Sequence, residues 1–540
     1  EKKIILNDEQ ENALNAIAKK IEEDKYSAFL LYGITGSGKT EIYMRAIQKV
    51  IDADGECIML VPEISLTPQT VARFKNRFGE KIAVLHSMLS QAERLEQWQN
   101  VRAGKTKIVV GARSAIFAPF KNLKLIIVDE EHENSYKQTE SPAYNGRDVA
   151  IYRAYLENCV IILGSATPTL ESYYNAAIAK KYELLKLTKR ADTSALMPQV
   201  EICDIRAELL QKDKFIFSNV LKEKIKNALE NKQQIILFLN RRGFAPLVLC
   251  FDCGAAFKCP ECNIPLTFHY ENRNLLCHYC NFEILTEGKC PDCKSSALKF
   301  IGLGTEKIEI ACKYLFPDAR TVRIDADSVR KKNYLQQTLE KFKNRDIDIL
   351  VGTQILAKGL DFPNVTVVGV MFADITLNLP DFRAAERTFN LITQVSGRAG
   401  RSILPGSVVV QTFSPEHYAI KFAASQDYEG FFYEELKIRK LHKYPPFVRL
   451  ISIVFAGESE KEVKYYASAL VLKLKEKKIK NYILGPAPSA LPIIKKQYRY
   501  QVLIKGNNLI AAKNILKEYY NLLRAKKVKM FIDVDPQNML

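Results

Sequence analysis

The chain has 540 residues, too many for one hydrophobic core, and a typical domain of about 150 residues indicates roughly three or four domains. Lys and Arg total 79 against 61 Asp and Glu, and the net charge of +18 favours a polyanionic partner such as nucleic acid, although charge alone is equally typical of a protein that is simply kept soluble. No apolar run approaches the about 18 residues that cross a bilayer, and the opening, EKKIILNDEQ, is charged, so the sequence argues against a membrane protein and predicts a soluble, cytoplasmic one.

From residue 27 onward, short β-rich runs alternate with helical stretches. The runs are SAFLLYG, ECIMLVPE, KIVVGARSA, LKLIIVDEEH and CVIILGSATP. A second set begins near Val220 with IILFLN, TVRID, DILVGT, VTVVGVMF and SVVVQTF. Strands that alternate with helices indicate doubly wound parallel sheets, so the sequence predicts two tandem α/β lobes, at 1–190 and at 191–249 with 294–428.

The second lobe is interrupted at 250–293 by a segment with eight cysteines in four C-x2-C pairs. Eight thiolates suffice for two tetrahedral Zn²⁺ ions and leave no open position, which indicates structural zinc. A disulfide framework is the alternative, and it fits a reducing cytoplasm poorly. Spacing alone permits sequential or interleaved pairing of Cys250, Cys253, Cys259, Cys262, Cys277, Cys280, Cys290 and Cys293.

Other cysteines and histidines carry weaker signals. His269 and His278 lie within the insertion and are predicted to be surface residues, since the sulfurs already complete both sites. The isolated cysteines are predicted to be packed apolar residues; they are Cys57, Cys159, Cys203 and Cys312.

The last segment, 429–540, changes pattern after YPPF at 444–447. Its order of strand, helix, strand, strand, helix and strand predicts a βαββαβ ferredoxin-like domain. Lys495, Lys496 and Arg499 are candidate DNA contacts, and a solvated basic face is an equally good interpretation.

GITGSGKT at 33–40 fits a phosphate-binding loop, because it follows a predicted strand and opens a helix. Its backbone N–H groups are expected to turn toward the phosphates. Lys39 is expected to reach the β- and γ-phosphates, and the Thr40 hydroxyl to hold Mg²⁺. A glycine-rich turn that matches by chance is the alternative. The remaining loop residues are Gly33, Ile34, Thr35, Gly36, Ser37 and Gly38.

LIIVDEEH at 125–132 is a hydrophobic strand that ends in acids. We expect Asp129 to hold Mg²⁺ through water, and Glu130 to orient and activate the attacking water. QVSGRAGR at 394–401 offers Arg401 as an arginine finger and Arg398 as a second γ-phosphate contact. Two surface arginines on a helix are the competing interpretation.

Together with GSATPTLES at 164–172 and VGTQILAKGLDFPNV at 351–365, these motifs resemble those of superfamily 2 helicases. The DEEH box, YKQTESPAYNGRDVA and the eight-cysteine insertion resemble in particular the primosomal protein N′ (PriA) family of replication-restart helicases. The resemblance implies two RecA-like lobes that use Mg-ATP in a bacterial cytoplasm. It further implies 3′-to-5′ unwinding of the lagging arm of stalled forks and reloading of the replicative helicase.

The resemblance also implies residue roles. Gln10 is expected to recognise adenine, and the loop from Tyr136 to Tyr144 to sense DNA and signal to Glu130, with Tyr136 or Tyr144 stacked on a base or simply packed on the lobe. Lys137 and Arg147 are grouped with this DNA coupling. The zinc sites are implied to be interleaved; one uses Cys250, Cys253, Cys290 and Cys293, and the other Cys259, Cys262, Cys277 and Cys280.

Implied partners are forked and single-stranded DNA, single-stranded-DNA-binding protein, and primosome and helicase-loading proteins; the chain is expected to be a monomer. The family also carries an N-terminal DNA-end-binding domain and a winged helix, whereas here the motor motifs start near residue 1. Two alternatives remain open: a translocase that does not separate strands, and a zinc-bearing loading scaffold.

Overall fold

The structure, a computed structural model, describes residues 5–62, 68–86, 89–191, 198–206, 216–239, 247–250, 252, 257–269, 274–285, 289–290, 293–296, 298–301, 305–324, 334–353, 362–399, 406–477, 479, 481–524 and 526–539. They form two compact units, one within 5–191 and the other within 198–539. Among these residues no helix is long and apolar enough to span a bilayer.

The first unit is an α/β lobe. Its strands are β1 (Ser27–Gly33), β2 (Glu56–Leu60), β3 (Ile82–Leu85), β4 (Ile108–Gly111), β5 (Leu123–Asp129), β6 (Lys137–Gln138), β7 (Tyr144–Asn145), β8 (Val160–Ser165) and β9 (Glu183–Leu187). Its α-helices are α1 (Asp8–Glu22), α2 (Lys39–Asp52), α3 (Pro68–Phe78), α4 (Gln91–Arg102), α5 (Gly146–Leu156) and α6 (Leu170–Ala177).

Seven of these strands form a parallel sheet in the order β3-β4-β2-β5-β8-β1-β9, and β6 and β7 form a short antiparallel pair. Strands β2 and β8 are buried along their whole length. Parallel sheets are covered on both faces, so such strands read as continuous apolar runs. The five predicted strands are therefore confirmed, whereas β3 and β9 were not predicted.

The second unit holds the remaining elements. Its strands are β10 (Gln199–Asp204), β11 (Gln234–Leu239), β12 (Leu247–Cys250), β13 (Thr267–His269), β14 (Asn274–Leu276), β15 (Glu283–Leu285), β16 (Leu298–Ile301), β17 (Thr321–Ile324), β18 (Ile349–Gly352), β19 (Val365–Met371), β20 (Ser407–Thr412), β21 (Arg449–Gly457), β22 (Tyr482–Ile494), β23 (Gln497–Gly506) and β24 (Lys529–Val534). Its α-helices are α7 (Asn219–Glu230), α8 (Thr305–Leu315), α9 (Tyr334–Lys343), α10 (Asp374–Leu377), α11 (Ala384–Ser396), α12 (Tyr418–Ala424), α13 (Tyr428–Leu441), α14 (Glu460–Glu476) and α15 (Ile510–Leu523).

The second α/β lobe has a parallel sheet in the order β10-β20-β19-β11-β18-β17. Its core is formed by the apolar residues of these strands and of α7 and α8. The predicted lobe is confirmed. Strand β10, QVEICD, was not predicted, because its charged residues interrupt the apolar run.

The C-terminal part is an antiparallel sheet in the order β22-β23-β21-β24, with α14 and α15 packed on one face. This is the predicted βαββαβ order, so the fold class is confirmed. Leu450 and Leu503 share a second apolar cluster with the cysteine-rich insertion. The zinc module and the C-terminal sheet therefore have one common core.

The insertion stands on a two-stranded ladder, β12 with β16, and carries the three-stranded sheet β13-β14-β15. Strand β16 lies beyond the limits of 250–293 given above, and the proposed domain limits remain predictions.

A buried ion cluster ties α11 to α13. The Arg439 guanidinium is 1% exposed and contacts Glu386 at 2.7 Å and Glu435 at 2.9 Å. Burial raises the pKa of the Glu435 carboxyl, and the charge of Arg439 opposes that shift. Arg383 also pairs with Glu386, at 3.2 Å, so Arg439 is needed above all to keep the Glu435 carboxylate charged in the core.

Replacing Arg439 by Met leaves both carboxylates without their shared cation. Removing one side of a buried ion pair costs about 3–5 kcal/mol, so we expect a clear loss of stability in urea denaturation followed by circular dichroism. Arg320→Met is the control, because the Arg320 side chain is 55% exposed and pairs with Asp348 at the surface. We expect it to change stability by less than about 1 kcal/mol. Equal losses in the two variants would contradict the prediction.

Candidate nucleotide site and zinc centres

The predicted phosphate loop joins β1 to α2. Gly36 and Gly38 have φ angles of 80° and 82°, which L side chains rarely adopt. Helix α2 begins at Lys39 and has no side-chain cap. Its first N–H groups and the positive end of its dipole are therefore available to an anion. Within the described residues, the buried Ser37 hydroxyl also finds no hydrogen-bond partner. The loop fits a nucleotide phosphate.

Gln10 holds this loop from α1. Its Nε2 donates to the Ser37 carbonyl at 2.8 Å, and its Oε1 accepts from the Asn7 N–H at 2.9 Å. A Cβ at Gly38 would lie 2.3 Å from Gln10 Nε2, which explains the glycine there. Both ends of the Gln10 amide thus bond to protein groups, and the recognition of adenine by Gln10 stays a prediction.

Lys39 folds back on its own loop. Its Nζ donates to the Gly33 carbonyl at 2.6 Å. Desolvation lowers the pKa of the ammonium, and the charges of Glu130 and Asp129 oppose that shift. Ile34 and Thr35 lie in the same loop, where the Ile34 N–H donates to the Leu187 carbonyl at 3.1 Å. The loop is thereby fixed to β9.

Asp129 and Glu130 stand at the end of β5, as predicted. Burial raises the pKa of the Asp129 carboxyl to about 6, and the Glu130 charge acts in the same direction. Glu130 has a φ angle of 46°, a backbone conformation that costs a residue with a Cβ about 1 kcal/mol. Such strain is typical of functional positions. The turn presents two acids beside the phosphate loop.

Tyr136 lies beneath this turn rather than at the surface. Its side chain is 1% exposed, and its hydroxyl donates to the Asp129 carbonyl at 2.6 Å. A base cannot stack on a buried ring, so the stacking role was wrong for Tyr136. Tyr144 is half-buried, packs edge-on against Phe117 at 5.4 Å between centroids, and remains a candidate.

Arg147 is also buried, and direct contact with DNA does not fit this position. Its Nη1 donates to Glu131 and to the Thr169 hydroxyl, both at 3.0 Å. The Glu131 carboxylate also accepts from the Thr169 N–H at 2.7 Å and from the Ser172 hydroxyl at 2.8 Å. Glu131 was not predicted as a functional residue, although its partners Thr169 and Ser172 lie in the GSATPTLES motif. Arg147 therefore links α5 to the DEEH turn.

Four further predicted residues lie outside the phosphate loop and the DEEH turn. Arg398 follows α11, and its N–H donates to the Val395 carbonyl at 3.0 Å. Arg401 lies outside the described residues, as does Cys253. Lys137 opens β6, where it pairs with Asn145. The roles of these residues stay predictions.

Among the described residues, three of the C-x2-C pairs, or cysteine knuckles, have the same backbone turn, and the residues after Cys253 lie outside that part of the chain. In each, the residue after the second cysteine has a positive φ angle and its N–H donates to the carbonyl of the first cysteine. The residues in this position are Asn263, Asn281 and Lys294. Such a turn aims both thiols at one point.

The thiols of these knuckles cluster as the interleaved arrangement requires. Cys259, Cys262, Cys277 and Cys280 lie within 4.8 Å of one another, as do Cys250, Cys290 and Cys293. The sulfurs of Cys259 and Cys280 are 3.6 Å apart, and those of Cys250 and Cys293 are 3.5 Å apart. Four thiolates at about 2.3 Å from a tetrahedral Zn²⁺ have similar separations. The donor set fits structural zinc.

Of the predictions for the other histidines and cysteines, one is wrong and one is confirmed. His278 is fully buried, and its Nδ1 lies 2.9 Å from the Pro488 carbonyl of β22, so its assignment to the surface was wrong. The side chain of His269 lies outside the described residues. The isolated cysteines are buried, which confirms that they are packed apolar residues; they are Cys57, Cys159, Cys203 and Cys312.

Replacing Cys277 by Ser removes one thiolate from a four-sulfur site, so we expect the purified protein to hold about one zinc ion instead of two. Zinc content is measured by mass spectrometry after removal of free metal. Cys312→Ser is the matched control, since Cys312 is buried in α8 outside the insertion. Two bound ions in the Cys277 variant would overturn the assignment of this site.

Four family models match the chain. They are those of the DEAD/DEAH box helicase at residues 7–176, the helicase conserved C-terminal domain at 299–402, the PriA DNA helicase Cys-rich region at 259–284, and the primosomal protein N C-terminal domain at 440–537. Together they match parts of both lobes, part of the zinc module, and the C-terminal sheet.

Curated relatives match almost the whole chain. The replication restart protein PriA of Bacillus subtilis is 45% identical over 99% of this chain and 67% of its own length. Those of Chlamydia trachomatis and Haemophilus influenzae are 43% and 40% identical and are covered over 71% and 73% of their lengths. On this identity and these domain matches, the chain belongs to the PriA family of replication restart proteins and is an ATP-dependent DNA helicase.

Proposed function

We propose that this chain unwinds the lagging arm of stalled forks in the 3′-to-5′ direction and thereby prepares them for reloading of the replicative helicase. The observation that carries the proposal is a direct connection between the DEEH turn and the loop expected to sense DNA. Tyr136 bonds to Asp129 and Arg147 bonds to Glu131, so the start of the loop and the helix that follows it, α5, are both attached to the DEEH turn. A change in the loop on DNA binding therefore acts on Glu130, which lies between the two attachment points.

The nucleotide-site residues then have distinct roles. Lys39 leaves the Gly33 carbonyl and moves to the β- and γ-phosphates of ATP. Thr40, and Asp129 through water, would hold the Mg²⁺ ion, which would supply positive charge to the phosphate oxygens. Glu130 orients the attacking water and receives its proton. We assign Arg398 and Arg401 to the γ-phosphate in the transition state, as their motif indicates.

A basic cavity supports a DNA path over the first lobe. It lies at the ends of β2, β4 and β5, and Arg94, Arg113 and Ser114 contribute to its wall. Arg113 donates to the Lys137 carbonyl at 3.0 Å and lies over the Tyr144 ring at 5.5 Å. A phosphate in this cavity would contact the same arginine that holds the loop. Binding of the DNA backbone at Arg113 can thus be transmitted to the loop.

The proposed partners beyond DNA follow from the family. We propose that single-stranded-DNA-binding protein and primosome loading proteins bind the zinc module or the C-terminal domain. Lys495 and Lys496 are exposed between β22 and β23, where their charge suits an acidic peptide or DNA. A cytoplasmic, monomeric protein suits this role.

Unwinding of tailed duplexes tests the proposal. We expect ATP-dependent unwinding of a 3′-tailed duplex and of a labelled lagging arm, and none of a 5′-tailed duplex. Lys39→Ala and Glu130→Gln remove transition-state stabilisation and should lower turnover about 100-fold or more. Lys49→Ala is the control on the same helix, since its side chain is 45% exposed.

The outcomes separate the candidate activities. DNA-stimulated hydrolysis without strand separation indicates a translocase, and binding of loading proteins without DNA-stimulated hydrolysis indicates a scaffold. Unwinding from a 5′ tail contradicts the proposed direction. Normal hydrolysis by the Lys39 variant contradicts the nucleotide site.

Tyr144→Ala tests the DNA loop. If a base stacks on this ring, its loss costs about 1–3 kcal/mol, so the single-stranded DNA concentration that half-saturates the ATPase should rise about 5- to 150-fold. Tyr152→Ala is the matched control, because Tyr152 is 63% exposed on α5. The stacking role fails if both variants need the same DNA concentration as the unaltered chain.

A further inference from the structure

A second tyrosine contacts Asp129, and it comes from the helix of the phosphate loop. Tyr43 lies one helical turn after Lys39 in α2 and is fully buried. Its hydroxyl donates to Asp129 Oδ1 at 3.1 Å. Desolvation raises the pKa of the Tyr43 hydroxyl well above its usual value, and the charges of Asp129 and Glu130 add to that shift. The group is therefore a neutral donor at working pH and cannot serve as a base.

The neighbouring strand makes room for this contact. Asp129 of β5 and Gly164 of β8 are partners in the sheet. A Cβ at Gly164 would lie 1.6 Å from the Tyr43 hydroxyl oxygen and 2.8 Å from its Cζ. Because Gly164 has no side chain, the Tyr43 ring can pass beside it and reach Asp129. Any other residue at position 164 would displace the hydroxyl.

The two tyrosines hold different parts of the same residue. Tyr136 bonds to the Asp129 carbonyl from the DNA-sensing loop, whereas Tyr43 bonds to the carboxylate from α2. Lys39, on the same helix as Tyr43, donates to the Gly33 carbonyl instead. The carboxylate orientation is therefore set by a residue that moves with the phosphate loop.

We propose that Tyr43 is a positioning residue, whose hydroxyl fixes the Asp129 carboxylate in the orientation that receives the Mg²⁺ of Mg-ATP. The proposal rests on the proposed metal-binding role of Asp129. Mg²⁺ demands near-octahedral geometry, so a carboxylate that is already oriented binds it better than one that rotates. Partners that orient metal ligands typically contribute about 10- to 100-fold in metal affinity or activity.

Equilibrium metal binding tests this role apart from turnover. Mn²⁺ replaces Mg²⁺ as the probe, and its binding is measured by electron paramagnetic resonance with a non-hydrolysable ATP analogue on the whole chain. We expect Tyr43→Phe, which keeps the ring, to weaken Mn²⁺ binding about 10-fold. Tyr519→Phe, which removes a hydroxyl bonded to the Tyr466 carbonyl in the C-terminal domain, should leave it unchanged.

The Asp129→Asn variant distinguishes the metal-binding role of Asp129 from the positioning role of Tyr43. If Asp129→Asn leaves Mn²⁺ affinity intact, the proposed role of Asp129 fails and the inference fails with it. If Asp129→Asn weakens binding and Tyr43→Phe does not, the positioning role alone is overturned.

Rescue by metal distinguishes positioning from damage to the fold. In the Tyr43→Phe variant, kcat should return toward that of the unaltered chain as Mg²⁺ is raised, with little change in the KM for ATP measured at saturating Mg²⁺. A kcat that stays low at every Mg²⁺ concentration, with an unchanged thermal melt, would also overturn the proposal.

Discussion

The first lobe is organised around the buried carboxylate of Asp129 and the acid that follows it. Asp129 stands at the desolvated end of a buried strand, where burial and the charge of Glu130 raise the pKa of its carboxyl. Their surroundings compensate: Lys39 supplies the opposite charge, and Tyr43 donates to the Asp129 carboxylate. The backbone between them is strained at Glu130. Under the proposed function, a bound Mg²⁺ ion would add positive charge beside these acids.

The second unit depends on a different constraint, the small size of the zinc module. Its own apolar side chains, among them Phe257 and Leu275, pack in one cluster with Leu450 and Leu503 of the C-terminal sheet and with Tyr444. The Tyr444 hydroxyl donates to the Cys262 carbonyl at 2.9 Å, so the segment that follows α13 is bonded to a cysteine knuckle. The module is therefore one wall of the C-terminal domain rather than an independent appendage.

Much of this could be predicted because it depends on local pattern. Continuous apolar runs predicted the central strands, and cysteine spacing together with the family resemblance predicted both thiol clusters. Strands β9 and β10 were missed because charged residues interrupt them and neighbouring strands supply their stability. The roles of Tyr43, Glu131 and His278 depend on contacts between segments that are distant in sequence. The local sequence around each residue therefore indicates only an ordinary core or surface position. For Tyr136 the sequence left stacking on a base and packing on the lobe open, because an aromatic residue in a polar loop shows nothing of its burial.

The shared core has a consequence for the order in which the chain is made. The last knuckle ends at Cys293, and the sheet that covers the module is complete only at Val534. Ribosomes add about 5–20 residues per second, so roughly 240 residues separate the two events by about 12–50 seconds. During that interval the nascent module exposes an apolar face, and its two metal ions are its main source of order. We therefore expect the yield of folded protein to depend on zinc supply during translation.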